Sequence, residues 1–326
     1  MFNCIKRNSL SAISKKPIQE NRQSFSPLRL IQEPKRTRME VNRIYSENCI
    51  ETMSRMPDDF IDMTICSPPY DDLRSYNGYE LPLDTIIKLL YLKTKPGGVV
   101  VWVIGDKTEN GSESLSSFRQ AIKFVEVGNF NLHDTMLYVK NNPIPSDCGK
   151  RYRQSFEYMF CFSKGSPKTF NPITEPTKSA GKAIKAFRIT ENGRGNVPAE
   201  DIGRKIKSER KVSNIFTYNV GTSSATDRIA FRHPAIFPEK LAADQISTWS
   251  NRGDLVYDCF MGSGTTAKVC CDLGRDWIGS EISADYVEVA HLRLEAQRHK
   301  LNGLPHASIA FANLNNHPSG NGRRIT

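Results

Sequence analysis

The sequence predicts an α/β protein: a mostly parallel twisted sheet with helices packed on both faces, interrupted by an irregular basic insertion. Three observations lead there. Short apolar runs of strand length alternate with segments of helical periodicity, the pattern of a sheet covered on both sides. A glycine turn, Gly262 to Gly264, sits directly between one such run and a helix. Between residues 164 and 232 both patterns lapse, and Gly, Lys, Arg, Thr, Asn and Pro dominate.

Read in order, residues 1–40 are rich in Ser, Gln, Lys and Arg without sustained periodicity, and are expected to form a disordered basic extension. "PKRTR" at 34–38 is read as part of that extension rather than as a nuclear address. Order is expected over 41–300, in three parts: 41–163, 164–232 and 233–300. "FIDMTIC" (60–66) reads as a buried strand, and "LDTIIKLLYLKTK" (83–95) as an amphipathic helix stopped by Pro96-Gly97-Gly98. "VVVWVIG" (99–105) is a second buried strand, followed by a helix over 115–128 and strands at 132–140 and 156–164. After the basic stretch, a helix begins near Pro238. Then come strand "DLVYDCF" (254–260), helix 265–274, strand "DWIGSEI" (276–282) and a helix over 283–300 with Ser283 as its N-cap. Residues 301–326 read as a flexible tail.

Composition narrows the function classes. Among 326 residues, 38% are hydrophobic and 25% charged, ordinary for a globular chain. No apolar run approaches the length of a membrane span. The eight cysteines form no C-x-x-C pair, which points to a reduced, intracellular protein with no metal site. The net charge of +10 is unevenly placed. Residues 1–40 hold 9 Lys and Arg against 3 Glu, and residues 164–232 hold 14 against 6 acids, so the body between and after them is net acidic. Basic segments on an acidic body suggest a polyanionic partner.

Two motifs carry chemistry. "DCFMGSGTTAKV" satisfies G-x-G-x-x-A with Gly262, Gly264 and Ala267 in strand–turn–helix context, and Glu281 lies 19 residues past Gly262. Glycines permit a tight turn and close ligand approach, and a carboxylate ending the next strand can grip ribose hydroxyls. An NAD-dependent dehydrogenase meets this pattern too. The loop, however, lies too near the C-terminus for the rest of a dinucleotide fold, and an adenosine cofactor without pyrophosphate suits it better. The second motif is Ser67-Pro68-Pro69-Tyr70, where two prolines fix the backbone and leave its carbonyls free to accept.

Together, "SPPY" and "FMGSGTT" resemble the motifs of the S-adenosylmethionine-dependent DNA amino-methyltransferases, over roughly residues 41–300. The order of segments is similar to the permuted, beta-type arrangement of that family: catalytic part first (41–163), target recognition insertion second (164–232), cofactor-binding part last (233–300). The resemblance implies a Rossmann-like class I methyltransferase fold. It also implies catalytic roles for Ser67, Pro68, Pro69 and Tyr70: Ser67 Oγ and the Pro68 carbonyl accept from the target amino group, and Tyr70 stacks on a base extruded from double-stranded DNA. Around S-adenosylmethionine it implies Phe260, Gly262, Gly264 and Thr265 at the methionine end and Glu281 on the ribose; Thr266 is either a further contact or simply an early helix residue. Asp258 either contacts the cofactor or orients the loop. "RHPAIFPEKL" (232–241) resembles the segment that closes over the methionine, which adds Pro238 and Glu239. Asn48, in "ENC", stands where family members often carry an acidic residue. Cys66 is read as a buried strand residue rather than a nucleophile.

A serine at the first motif position mostly accompanies cytosine-N4 methylation in this family, with adenine-N6 as the alternative. Methyltransferases of RNA or of protein glutamine use similar x-P-P-Y acceptors, but the basic insertion favours nucleic acid. A catalytically silent DNA-binding module is a further alternative, disfavoured by the intact Ser67–Tyr70 motif. The expected setting is intracellular and DNA-associated, nuclear in a eukaryotic host and cytoplasmic or nucleoid-bound in a bacterium or phage. Monomer and homodimer both stay open.

Overall fold

A computed structural model describes residues 39–69, 81–143, 149–189 and 196–301. The expected basic extension up to residue 38, the tail beyond 301 and the stretch 70–80 with Tyr70 lie outside the described residues.

One sheet of eight strands organises the chain. Its members are β1 (Arg43–Tyr45), β2 (Ile61–Cys66), β3 (Thr94–Ile104), β4 (Asn131–Lys140), β5 (Phe156–Ser163), β6 (Ile215–Tyr218), β7 (Leu255–Asp258) and β8 (Asp276–Ser280). They lie in the order β1-β8-β7-β2-β3-β5-β4-β6. Every neighbouring pair is parallel except those made by β5, which runs against both β3 and β4. Six helices complete the frame: α1 (Cys49–Arg55), α2 (Leu83–Lys93), α3 (Ser116–Glu126), α4 (Glu239–Trp249), α5 (Thr265–Leu273) and α6 (Ala284–Leu301).

The run "VVVWVI" shows why both faces are covered. Side chains alternate across a strand, so an unbroken apolar run needs an apolar partner on each side. Val99, Val101 and Val103 join Leu241, Ile246, Ala267 and Ala290 of α4, α5 and α6 in one core. Val100, Trp102 and Ile104 join Met53, Ile87, Leu90 and Phe124 of α1, α2 and α3 in the other. Trp102 is fully buried, and its indole N–H donates to Gln120 Oε1 at 2.8 Å, so its polar atom is satisfied. Truncating such a side chain to alanine costs about 3–5 kcal/mol.

The predicted elements from 60 to 164 and from 238 to 301 are present, with three differences. Helix α2 ends at Lys93 rather than 95, and β3 starts at once at Thr94. Pro96-Gly97-Gly98 therefore lies inside an irregular strand start, where the register with β2 slips between Ile61 and Met63, and does not form a helix stop. Elements β1 and α1 are additional. Most consequentially, the segment 164–232 is not uniformly irregular: Thr174–Pro176 pairs with Glu209–Lys211, Ala183–Ile189 pairs with Asn196–Lys205, and β6 joins the main sheet beside β4. Among the described residues, no helix is long and apolar enough to cross a membrane.

Candidate active site

Strands β2 and β7 are neighbours where the sheet changes its direction of growth. From β2 the chain moves to β3 on one side, and from β7 it moves to β8 on the other. Open α/β sheets form their ligand crevice at such a switch point, outside the carboxyl ends of the strands. The register pairs Met63 with Val256 and Thr64 with Tyr257, so the two chains leave their strands side by side. Cys66 and Cys259, 193 residues apart in sequence, have their sulfurs 3.3 Å apart. Burial pushes both thiols above the ordinary cysteine value and keeps them protonated, so neither serves as a nucleophile. Directly beyond them lie Ser67-Pro68-Pro69 on one strand and Phe260 to Gly264 on the other. Pro68 is buried, with Ser67 and Pro69 half-buried on either side.

The glycine turn is held from below by buried carboxylates. Asp258 Oδ1 accepts from the Phe260 amide at 3.0 Å and Oδ2 from the Thr266 hydroxyl at 2.6 Å. Asp258 thus bonds both the turn and the first residues of α5. Burial, with a contribution from Glu281 and against both hydrogen bonds, raises its carboxyl to about 7. Glu281 directly follows β8, next to β7. Its Oε2 accepts from the Gly262 amide at 2.8 Å, its Oε1 from the Ser283 amide at 2.9 Å, and its own amide donates to Tyr45 O at 3.1 Å. Its carboxyl is also raised, by burial, while backbone hydrogen bonds work against the rise.

Both glycines are required by geometry. Gly262 and Gly264 have φ of +51° and +78°, in the left-handed region that side chains disfavour. A Cβ on Gly264 would also lie 2.7 Å from the Ala290 Cβ, so any substitution there pushes against α6. Gly264 starts α5 with no side-chain cap, and Gly274 ends it in the left-handed conformation. Phe260 is half-buried and meets the Trp102 ring edge-on at 6.0 Å. Thr265 and Thr266 are buried, Thr265 with its hydroxyl 2.9 Å from Arg293 Nη1. The turn thus opens a helix at two glycines and is flanked by the buried carboxylate that directly follows the adjoining strand.

Two of the expected contacts also make bonds within the fold. Asn48 is the N-cap of α1, its Oδ1 accepting from the Ile50 amide at 2.9 Å. Glu239, first residue of α4, has Oε1 on Lys268 Nζ and on Arg293 Nη2, both at 2.7 Å, and Oε2 on the Thr226 hydroxyl at 2.8 Å. Pro238 is buried at the N-cap position of the same helix.

The structure adds four side chains to which the reading of the motifs assigned no role. His233 is buried, stands edge-on to Tyr286 at 4.2 Å, and lies against Gly262, where a Cβ would come within 3.1 Å of its Nε2. Buried Arg293 and Lys268 form an ionic group with half-buried Asp227 and Glu239 behind the turn. A signal for Arg293 exists in the sequence, since it shares a helix face with Ala290 and Leu294, both core residues. Lys268 likewise stands between the buried Ala267 and Val269.

Residues 61–292, from β2 into α6, match the family model described as DNA methylase, N6_N4_Mtase. The chain belongs to the DNA methylase family. Among curated relatives, the orphan methyltransferase M.BamHII of Bacillus amyloliquefaciens is 49% identical over 244 residues, which is 72% of this chain and 89% of that protein. The type II methyltransferase M.BglII of Bacillus subtilis is 25% identical over 81% of this chain and 72% of its own length. Solved structures share the fold. PvuII DNA methyltransferase (cytosine-N4-specific) superposes with a TM-score of 0.56 at 23% identity, covering 80% of this chain and 92% of its own. The M1.HpyAVI complex with S-adenosylmethionine gives 0.51 at 24% identity, covering 77% and 98%. The fold is that of the class I methyltransferases, and its family acts on exocyclic amino groups of DNA bases.

Proposed function

We propose that this protein transfers a methyl group from S-adenosylmethionine to the exocyclic N4 amine of cytosine in double-stranded DNA, acting on a base turned out of the duplex. The observation that carries the reading is the meeting of Ser67-Pro68-Pro69 and the glycine turn at the carboxyl ends of adjacent strands. S-adenosylmethionine supplies an electrophilic methyl on a sulfonium centre. Phe260, Gly262, Gly264 and Thr265 cradle its methionine end, and Glu281 takes the ribose hydroxyls; Thr266 and Asp258 hold the turn in shape. Pro238 supports this site from the start of α4.

An exocyclic amine is a poor nucleophile because its lone pair is delocalised into the ring. Ser67 Oγ and the Pro68 carbonyl accept hydrogen bonds from its two N–H groups, favouring a tetrahedral nitrogen whose lone pair is aimed for in-line attack; S-adenosylhomocysteine leaves, and the methylated amine sheds one proton to solvent. Tyr70 offers a ring face to the extruded base. No covalent bond to the enzyme is needed, in keeping with the protonated state of Cys66. The exposed cations between 164 and 232 bind the DNA backbone.

The choice of cytosine rests on the serine at position 67, and a neighbour in fold whose name specifies cytosine-N4 agrees with it. Incubation with isotopically labelled S-adenosylmethionine and mixed-sequence DNA, followed by nucleoside mass spectrometry, tests it. Label in 4-methylcytosine is expected. Label in 6-methyladenine overturns the base assignment while leaving the transfer chemistry, and label only in RNA or protein overturns the DNA reading.

A further inference from the structure

Behind the glycine turn, two buried cations and two half-buried carboxylates from four separate segments form one ionic group. Lys268 Nζ of α5 lies 2.7 Å from both Asp227 Oδ2 and Glu239 Oε1. Arg293 of α6 reaches the same two acids, Nε to Asp227 Oδ2 at 3.1 Å and Nη2 to Glu239 Oε1 at 2.7 Å. Its remaining nitrogen, Nη1, donates to Ser263 O at 2.8 Å, Ser263 Oγ at 3.0 Å and Thr265 Oγ1 at 2.9 Å. The Arg293 side chain is fully buried. Burial would raise Asp227, but the charge of Arg293 and the hydrogen bond from Lys268 outweigh it and hold the carboxyl below its ordinary value.

Apolar side chains of similar volume would pack this space without the desolvation that four charges incur. What they would lack is a rigid planar fork whose donors are divided between two segments. One edge of that fork grips the turn Ser263–Thr265. The other grips Asp227 and Glu239, which frame the stretch leading out of the basic segment. The grip extends further along that stretch: Glu239 Oε2 accepts from Thr226 N at 3.2 Å, and Lys268 Nζ donates to Thr226 Oγ1 at 2.7 Å. Exposed Arg228 and Arg232 lie on the same stretch.

We propose that Arg293 is a positioning residue that holds the Ser263–Thr265 turn in its cofactor-binding shape and ties that shape to Thr226–Glu239, so that duplex DNA on the basic segment and cofactor in the turn alter each other's affinity. The proposal rests on the reading of the glycine turn as the cofactor cradle. Because binding couplings are reciprocal, either ligand can report the link.

The test uses the full chain and two variants. Arg293→Lys keeps the charge but loses the fork, and Asp227→Asn leaves every bond to the turn in place. Calorimetry with S-adenosylhomocysteine, with and without duplex DNA, is paired with deuterium uptake over residues 259–266 in the ligand-free protein, and thermal melting confirms that each variant is folded. Arg293→Lys is expected to weaken binding by about tenfold and to speed uptake in the free turn, with turnover at saturating cofactor nearly unchanged. Asp227→Asn is expected to weaken binding less, and to shrink the effect of DNA on cofactor affinity seen in the wild type. A folded Arg293→Lys with unchanged affinity and uptake overturns the positioning role. Absence of a DNA effect in the wild type, or the same effect in Asp227→Asn, overturns the coupling, and this arm stands even if Arg293→Lys does not fold. Wild-type protein that binds no S-adenosylhomocysteine overturns the cradle assignment itself, and this proposal with it.

Discussion

Around the glycine turn, polar side chains face inward. Asp258, Thr266, Glu281, Lys268 and Arg293 are each at most 8% exposed, and each has a named partner within the fold. Between 164 and 232 the arrangement is reversed: Lys168, Lys178, Lys182, Lys205, Lys207, Arg228 and Arg232 face solvent. Even there the residues divide. Lys164 is half-buried, with Nζ on Asp59 at 2.7 Å and on the Tyr91 and Thr94 carbonyls, so it anchors the sheet rather than facing a ligand. The same residue types therefore do two jobs. Buried and paired, they fix a shape in advance of binding, which is how preorganised sites lower the reorganisation a reaction needs. Exposed, they form a charged surface suited to a polyanion.

Salt separates the two regions most strongly. If the exposed cations contact roughly six phosphates, raising salt from about 50 to about 200 mM weakens DNA binding by about 10³-fold. Buried pairs are screened far less, so S-adenosylhomocysteine affinity should barely move over the same range. Fluorescence anisotropy and calorimetry measure the two, and a parallel fall in both would erase the distinction.

Within the site, Ser67→Ala should lower turnover by about 10²-fold or more, the order found when one preorganised partner of the transition state is removed. Cofactor affinity should be unaffected, and unchanged turnover would remove Ser67 from the mechanism. Glu281→Ala should do the opposite, weakening cofactor binding by about tenfold or more through loss of charged hydrogen bonds. Normal binding in calorimetry would reject the ribose assignment.

The smallest expected effect concerns pH. Asp258 is raised to about 7 in the folded protein, above its value in the unfolded chain. The folded state therefore holds this proton more tightly, so the stability it contributes is present at low pH and is lost as pH rises towards 7. Melting temperatures of ligand-free Asp258→Asn should fall less steeply over pH 4–7 than those of the wild type. Equal slopes would mean that Asp258 is ionised throughout.

Most of the frame was legible from apolar runs and turns because long buried strands such as "VVVWVI" leave little choice of structure. The misses have physical causes. β6 is only four residues long and its sheet partner β4 lies far back in the chain, so "IFTY", though made of strand-favouring residues, is too short to stand out as a strand. β1 is shorter still, and Asn48, legible only as a motif remnant, is a helix cap. At the site, Gly262 and Glu281 could be named from the spacing of the glycine motif, and Ser67 from the resemblance of "SPPY" to the family motif. For Arg293 the sequence offers only a hint of burial beside Ala290 and Leu294, because its importance depends on a fold that brings Ser263, Asp227 and Glu239 to one guanidinium.

A crystal structure of the protein with S-adenosylhomocysteine tests most directly whether the two motifs make one site. The ligand should lie with its ribose on Glu281, its homocysteine end over Gly262–Gly264 and its sulfur facing Ser67. A ligand seated elsewhere, or with its sulfur turned away from Ser67, would contradict the account.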